Sequence, residues 1–121
     1  MAWIFHNRGS IAGQITDRLK RDILTGKYDR GEQFPTVRHL AEEAGVNPNT
    51  VQKSMTELID EGLLVTRGTS GRFVTEDEEI LSQAKKTAIE NSVKRIVSEA
   101  KVLSLTYSEL NQKIKEEWDN V

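Results

Sequence analysis

Residues 47–53 of the 121-residue chain bring together side-chain types that recognise the edges of nucleic-acid bases. Asparagine and glutamine can pair with adenine through two hydrogen bonds, lysine can donate to guanine, and threonine can bond a polar edge or contact the thymine methyl group. A helix that begins at Pro48 and buries Val51 would carry four such residues on its outer N-terminal surface. They are Asn49, Thr50, Gln52 and Lys53. This surface is the candidate for nucleic-acid recognition.

Some of these side chains also have a simpler structural explanation. Asn47 directly precedes Pro48, and an asparagine in that position caps a helix whose first residue is proline, so capping explains Asn47 better than a base contact does. Asn49 and Gln52 are equally compatible with a solvated surface. The balance favours a binding role for Lys53 and for Arg38, which lies on the preceding predicted helix.

Cations near this surface would supply charge that the composition lacks. The chain has a net charge of −2 at pH 7, so affinity for phosphate must come from local placement of Lys and Arg. Arg38 lies at the base of the turn, and Arg67 and Arg72 lie on a predicted hairpin. For Arg72 an ion pair with a nearby acid and a phosphate contact are equally compatible with the sequence, and turn geometry alone explains Gly68.

Catalytic chemistry has little support in this sequence. The chain has no Cys, and His6 and His39 provide neither a nucleophile with its base nor a set of metal ligands. The acidic residues 76–79 lie where a helix is predicted to begin, as expected of solvated carboxylates that match the helix dipole. We therefore expect no enzyme, no cofactor and no bound metal.

Three predicted helices and a hairpin position the candidate surface. The first helix begins near Ser10 and ends at Gly26, the second follows Thr36, and the third begins about three residues after the second ends. That spacing is typical of a helix-turn-helix. Apolar runs at 63–66 and 72–74, separated by a glycine-containing loop, predict a β-hairpin, which we call the wing.

The rest of the chain predicts a helical tail. Thr75 and Glu78 have the spacing of a capping box, which predicts a long helix that begins at Thr75, and Thr106 with Glu109 predicts a short final helix. Apolar residues recur on both helices and would be exposed in a single copy, so we expect them to form a homodimer interface. These residues are Leu81, Ala88, Ile89, Val93, Ile96, Val97, Leu103, Leu110, Ile114 and Trp118.

The expected fold is mainly α with a small β-hairpin. A winged helix-turn-helix domain is predicted over residues 1–75, and a C-terminal helical hairpin that serves for dimerisation over residues 76–121. The N-terminus lacks the apolar run of a signal peptide, and no segment has the length and hydrophobicity of a membrane span. We therefore expect a cytoplasmic protein with no membrane partner.

Several segments in a fixed order carry a resemblance to a known family. They are residues 14–15, 19–26, 31–41 and 45–53, followed by the pair Arg67-Gly68 of the wing. In order and spacing they resemble the GntR family of bacterial transcription regulators over roughly residues 10–75. The resemblance implies a winged helix-turn-helix that binds double-stranded DNA.

The resemblance also implies which residues contact DNA. Carried over position by position, the family's contacts fall on Arg38, Asn47, Asn49, Thr50, Gln52, Lys53, Arg67 and Gly68. Several relatives have Arg just after the Gly-Val turn, where this chain has Pro48, so the base contact of that arginine is not implied here. Thr36 replaces the family's usual serine and keeps the capping hydroxyl.

The short tail is similar to that of the YtrA-type branch, which implies dimerisation and repression of operons that encode ABC-type transporters. Our hypothesis is a homodimeric repressor on a palindromic operator, with recognition helices in successive major grooves about 34 Å apart. An alternative is a winged-helix adaptor that binds protein, which the near-neutral charge favours. The sequence leaves open whether a small-molecule effector binds.

Overall fold

The computed structural model describes residues 2–121, and Met1 lies outside the described residues. Within this range the chain forms α-helices and one two-stranded antiparallel sheet. In chain order the elements are α1 (Ile11–Leu24), α2 (Val37–Ala44), α3 (Pro48–Asp60), β1 (Leu64–Thr66), β2 (Arg72–Val74), α4 (Glu78–Val102) and α5 (Tyr107–Trp118). The prediction of a mainly α chain with one small hairpin is confirmed.

Short-range sequence signals set the ends of the first helices. The Ser10 hydroxyl accepts a hydrogen bond from the backbone N of Gly13 at 2.9 Å, and the Thr36 hydroxyl accepts one from His39 N at 3.1 Å. Each bond satisfies a backbone donor that a helix leaves unpaired in its first turn. Gly45 ends α2 at φ 73°, a left-handed conformation that glycine adopts without strain. The chain therefore turns sharply from α2 into α3.

The core of the helix-turn-helix lies between the first three helices and the sheet. It is built from apolar positions at helical and strand spacing. Its buried members are Ile15, Leu19, Ile23, Phe34, Leu40, Ala41, Val51, Met55, Leu58, Leu63, Leu64 and Val74. Because α3 contributes Val51, Met55 and Leu58 to this cluster, its opposite face is left free.

The wing is braced by a segment that precedes α2. In the hairpin, Leu64 pairs with Val74 and Thr66 with Arg72. Residues 31–34 add a third partner, since Phe34 N donates to Arg72 O at 2.8 Å and Gly31 N donates to Val74 O at 2.9 Å. The strand β2 is therefore bonded on both sides, which holds the wing against the helical core.

The start of α4 differs from the prediction. Thr75 lies at the end of the sheet, where its backbone N donates to Leu63 O at 2.9 Å and is not available to the Glu78 carboxylate, and its hydroxyl accepts from Asp77 N at 3.1 Å. Asp77 takes the capping role instead: its Oδ1 accepts from Glu79 N at 2.9 Å and from Ile80 N at 3.4 Å. The predicted capping box at Thr75 is therefore wrong, and α4 begins at Glu78.

Two compact units are present, the first ending at Ala84 and the second covering Lys85–Val121. The start of α4 belongs to the first unit because Ile80, Leu81 and Ala84 pack against its core. The predicted functional division into residues 1–75 and 76–121 stays a prediction. Leu81, which the sequence assigned to a dimer interface, lies against the core of its own chain.

The second unit contains the predicted capping box at Thr106. The Thr106 hydroxyl accepts from Glu109 N at 3.1 Å, and Glu109 Oε1 accepts from Thr106 N at 3.0 Å, so this prediction is confirmed. Between α4 and α5 the backbone turns at Ser104, where φ is 62°, and Leu105 N donates to Ala100 O at 2.9 Å. Ala100 is buried at this turn.

The capping box predicts how the stability of α5 depends on pH. The hydrogen bond from the Thr106 backbone, followed by the contact with the Thr106 side chain, lowers the pKa of the exposed Glu109 carboxyl from its ordinary value. A lowered pKa in the folded state stabilises α5 above the unfolded-state pKa, and this contribution is lost as the pH falls through the folded-state pKa. We expect Glu109→Ala to speed hydrogen exchange of α5 amides at neutral pH, with the effect shrinking in acid. Glu117→Ala, at an exposed position of the same helix, is the control.

Candidate nucleic-acid interface

Asn47 and Pro48 form the N-terminus of α3, the first as its cap and the second as its first helical residue. Asn47 lies before the helix in an extended conformation, and its Oδ1 accepts from Asn49 N at 2.8 Å. Pro48 follows at the first helical position, where its missing N–H costs no hydrogen bond. The expectation that Asn47 caps the helix is confirmed, and its side-chain oxygen is occupied by that bond.

The outer face of α3 presents the predicted polar residues. Asn49, Gln52 and Lys53 are exposed, whereas Thr50 is half-buried. The Gln52 amide donates to the Thr56 hydroxyl at 3.3 Å, a weak bond one turn along the same face. Lys53 forms no ion pair among residues 2–121. An unpaired ammonium beside two exposed amides can bind base edges or a phosphate oxygen.

Arg38 lies in the first turn of α2 and is exposed. Its Nε is 3.5 Å from Glu42 Oε1, one turn further along the helix, and both side chains are mostly in solvent. An exposed ion pair of this kind contributes little stability and is screened by salt. Arg38 can therefore exchange Glu42 for a phosphate at little cost.

Arg67 and Gly68 open the loop that joins the two strands of the wing. The Arg67 guanidinium lies 4.8 Å from the centre of the Phe73 ring and 3.5 Å from Glu76 Oε2. Gly68 has φ 52°, and no atom lies within 4 Å of the place where a Cβ would be. A side chain would have room at this position, so glycine is favoured there because of the left-handed backbone conformation.

Arg72 differs from the exposed cations because it is partly enclosed. Its Nε atom is buried and has no hydrogen-bond partner among the described residues. The sequence left open an ion pair or a phosphate contact for this residue, and the ion pairs found within residues 2–121 do not include it. A phosphate contact by Arg72 stays a prediction.

The structure adds two positioning residues that sequence reasoning missed. The Gln33 amide donates to Ser70 O at 2.8 Å and so fixes the wing tip, and Glu76 pairs with Arg67. Gln33 lies in a family-like segment, residues 31–41, but only the fold brings it against the wing. Glu76 was assigned to a run of solvated helix-end acids, and the pattern of that run gave no sign of the ion pair.

The interface has the chemistry of DNA binding. Amides, a hydroxyl and cations lie on α3, at the start of α2 and on the wing, all within the first compact unit. In the described part of the chain, no cluster of three His, Asp or Glu side chains could hold a metal ion. None of the described helices is long and apolar enough to cross a bilayer.

Comparisons with curated proteins identify related regulators. A family model described as "Bacterial regulatory proteins, gntR family" matches residues 11–74. The chain is 31% identical over 111 residues to the uncharacterized HTH-type transcriptional regulator YhcF of Bacillus subtilis, covering 92% of each protein. It is 33% identical over 104 residues to the HTH-type transcriptional repressor YtrA of Bacillus subtilis, covering 85% of this chain and 80% of YtrA.

Solved structures agree with these matches. A GntR family transcriptional regulator from Listeria monocytogenes is similar over 93% of this chain and 98% of its own, with a TM-score of 0.85 and 27% identity. The structure of AraR(DBD) in complex with operator ORX1 matches 60% of this chain and 93% of its own, with a TM-score of 0.53 and 26% identity. The second match covers a domain whose structure was solved on operator DNA.

Proposed function

Because the chain belongs to the GntR family of bacterial regulatory proteins, which are DNA-binding transcription regulators and not enzymes, we propose that it is a homodimeric repressor of a palindromic operator. The similar protein YtrA is named a transcriptional repressor, which supports repression over activation for this chain. In this proposal the protein acts in the cytoplasm and excludes polymerase from a promoter. The resemblance to the YtrA-type branch extends the proposal to an operon for an ABC-type transporter.

The observation that carries the DNA-binding surface is the division of α3 into two faces. Val51, Ser54, Met55 and Leu58 are buried, while Asn49, Gln52 and Lys53 on the opposite face are polar and exposed. An α-helix fits the major groove, where amide and ammonium groups can distinguish base pairs. We assign direct base contacts to Asn49, Gln52 and Lys53, with Thr50 at the edge of that face. Arg38, Arg67 and the backbone at Gly68 would bind phosphates on either side, and the free amide of Asn47 remains available.

The observation that favours a dimer is an exposed apolar stripe in the second unit. Ile89, Val93 and Ile96 are 55%, 53% and 43% exposed, although such side chains are usually buried. Together with Ala100 and Leu103 they repeat at alternating intervals of four and three residues, the pattern of a helix that packs against a second helix. Other exposed or half-exposed apolar positions continue the proposed interface. They are Ala88, Val97, Leu110, Ile114 and Trp118.

A protein-binding adaptor is the competing function, supported by the near-neutral charge of the chain. The two functions differ in their response to salt. Operator binding should weaken steeply between 50 and 200 mM salt, because each neutralised phosphate releases counterions. An adaptor would show no preference among duplexes even at low salt. Duplexes selected from a random pool by the purified protein provide the probe.

Substitutions on α3 test the proposed base contacts. We expect Lys53→Ala and Gln52→Ala each to weaken binding to the selected duplex by about 1–3 kcal/mol per lost bidentate contact, and to relax preference at particular base pairs. The measurement is titration against duplexes that carry each single base-pair change. Lys86→Ala, an exposed lysine on α4, is the matched control. A uniform loss across all duplexes would instead assign Lys53 to a phosphate.

A further inference from the structure

The segment before α1 is fastened to the helix-turn-helix although it has no regular secondary structure. Trp3 N donates to Ala44 O at 3.1 Å, and the Arg18 guanidinium lies 3.9 Å from the centre of the Trp3 ring. The Gln14 side chain then holds the segment from α1, since its amide donates to His6 O at 3.0 Å and to Arg8 O at 3.1 Å. Its Oε1 accepts from His6 N at 3.0 Å. We call residues 3–8 the N-terminal arm.

The arm ends at the N-terminus of α1, and a constant register places that end of α1 beside the recognition helix α3. Of four contacts between residues that are 41 or 42 positions apart in the chain, three join α1 to α3 or to its C-cap Glu61, so α1 and α3 run parallel with their N-termini at the same end. The contacts are Trp3 N to Ala44 O at 3.1 Å, Ser54 Oγ to Ala12 O at 2.8 Å, Thr16 Oγ1 to Glu57 Oε2 at 2.8 Å, and Lys20 Nζ to Glu61 Oε2 at 2.9 Å.

Arg8 lies at the first turn of α1, because the Gln14 amide donates to its backbone O at 3.1 Å, and the same turn is joined to α3 by the bond from Ser54 Oγ to Ala12 O. Arg8 is therefore held at the end of α1 where the N-terminus of α3 also lies. Gly9, at φ 74°, turns the chain directly after Arg8.

Arg8 is exposed, and it forms no ion pair within residues 2–121. Arg38 and Arg67, by contrast, each lie near a glutamate. A free guanidinium on a fastened arm loses little conformational freedom when it binds an anion. Since this end of α3 is the one that would enter the groove, the anion within reach of Arg8 is a phosphate of the same duplex.

We propose that the N-terminal arm is a further DNA contact element, in which Arg8 binds a backbone phosphate beside the groove entered by α3. The inference rests on the proposed function and adds to it an element outside the helix-turn-helix and the wing. Because a phosphate carries no base identity, Arg8 sets affinity and salt dependence and leaves sequence preference unchanged. The Gln14 clamp is the positioning device for this contact.

The test compares Arg8→Ala with the wild-type chain on a duplex that the wild type selects from a random pool. We expect binding about tenfold weaker at 50 mM salt, the value of one charge-assisted hydrogen bond. The slope of log K against log salt should fall by about 0.9, so the deficit narrows about threefold between 50 and 200 mM salt. Arg8→Lys keeps the charge and should keep the slope.

Arg21→Ala is the control, because Arg21 is exposed in the last turn of α1, at the end away from the arm. It should match the wild type in affinity and slope. If Arg8→Ala behaves like Arg21→Ala on a duplex that the wild type binds selectively, the arm contact is overturned while the proposed function stands. If the wild type itself selects no duplex, the proposed function fails first.

Discussion

Replacing Ile96 with aspartate is expected to turn a dimer into a monomer and to weaken binding to a two-half-site operator by about 10²–10⁴-fold. Ile96 lies in the middle of the apolar stripe on α4 and is 43% exposed in a single chain. A carboxylate there would have to be buried against apolar side chains of the partner, at a cost of several kcal/mol. We therefore expect the proposed dimer to dissociate at concentrations where the wild type would stay paired.

Binding to the operator should weaken together with dimerisation. In a dimer the second DNA-binding domain meets its half-site at a high effective concentration, and a monomer lacks this advantage. Sedimentation gives the oligomeric state, and titration against duplexes with one and two half-sites gives the affinity. Binding to a single half-site should be unchanged, since Ile96 lies outside the first compact unit and its interface. This separates loss of pairing from loss of folding.

Ser98→Asp is the matched control, because it places the same carboxylate on the same helix, on the face opposite the stripe, at an exposed position. It should remain dimeric. An Ile96→Asp protein that still sediments as a dimer would contradict the proposed interface. Equal losses on one-site and two-site duplexes would show that the substitution had damaged the DNA-binding unit itself.

The helix ends of the winged domain could be predicted from sequence because their causes are local. Ser10, Thr36 and Asn47 each cap a helix through a bond to a residue two or three positions away. Thr106 and Glu109 satisfy each other over the same short distance. Such signals depend on neighbouring residues alone, so no knowledge of the tertiary fold is required.

Predictions failed, or were never made, where the cause lies far along the chain. Thr75 has the sequence pattern of a cap, but its bond to Leu63 ties it to the sheet and leaves the capping role to Asp77. The bond from Gln33 to the wing joins residues 37 positions apart, and no local pattern announces it.

In the candidate interface, too, some features could be predicted from local sequence and others required the fold. The polar types on α3 were visible in the sequence because helical periodicity alone separates Gln52 and Lys53 from the buried Val51. The pairing of Arg67 with Glu76 required the fold of the wing. The position of Arg8 required the register between α1 and α3, which is set by side chains about forty residues apart. Residue types were therefore predictable and their arrangement was not.

Leu58→Ala is expected to lower the free energy of unfolding of the winged domain by about 2–5 kcal/mol. Leu58 lies on α3, is fully buried and belongs to the central core cluster, so its truncation removes apolar contacts and leaves a cavity. Small domains have a total stability of about 5–15 kcal/mol, which makes this a large fraction. Chemical denaturation followed by circular dichroism measures the change, and Ile4→Ala, at a side chain that is 97% exposed, is the control.

The same substitution separates stability from recognition on one helix. As long as the Leu58→Ala protein remains mostly folded at low temperature, its affinity for the operator should fall only by the fraction of chains that unfold. Lys53→Ala should behave in the opposite way, with unchanged unfolding and weaker, less selective binding, because Lys53 is exposed and forms no ion pair in the described chain. If Leu58→Ala changed base-pair preference while fully folded, the two faces of α3 would not be independent, and assigning packing to one and recognition to the other would be wrong.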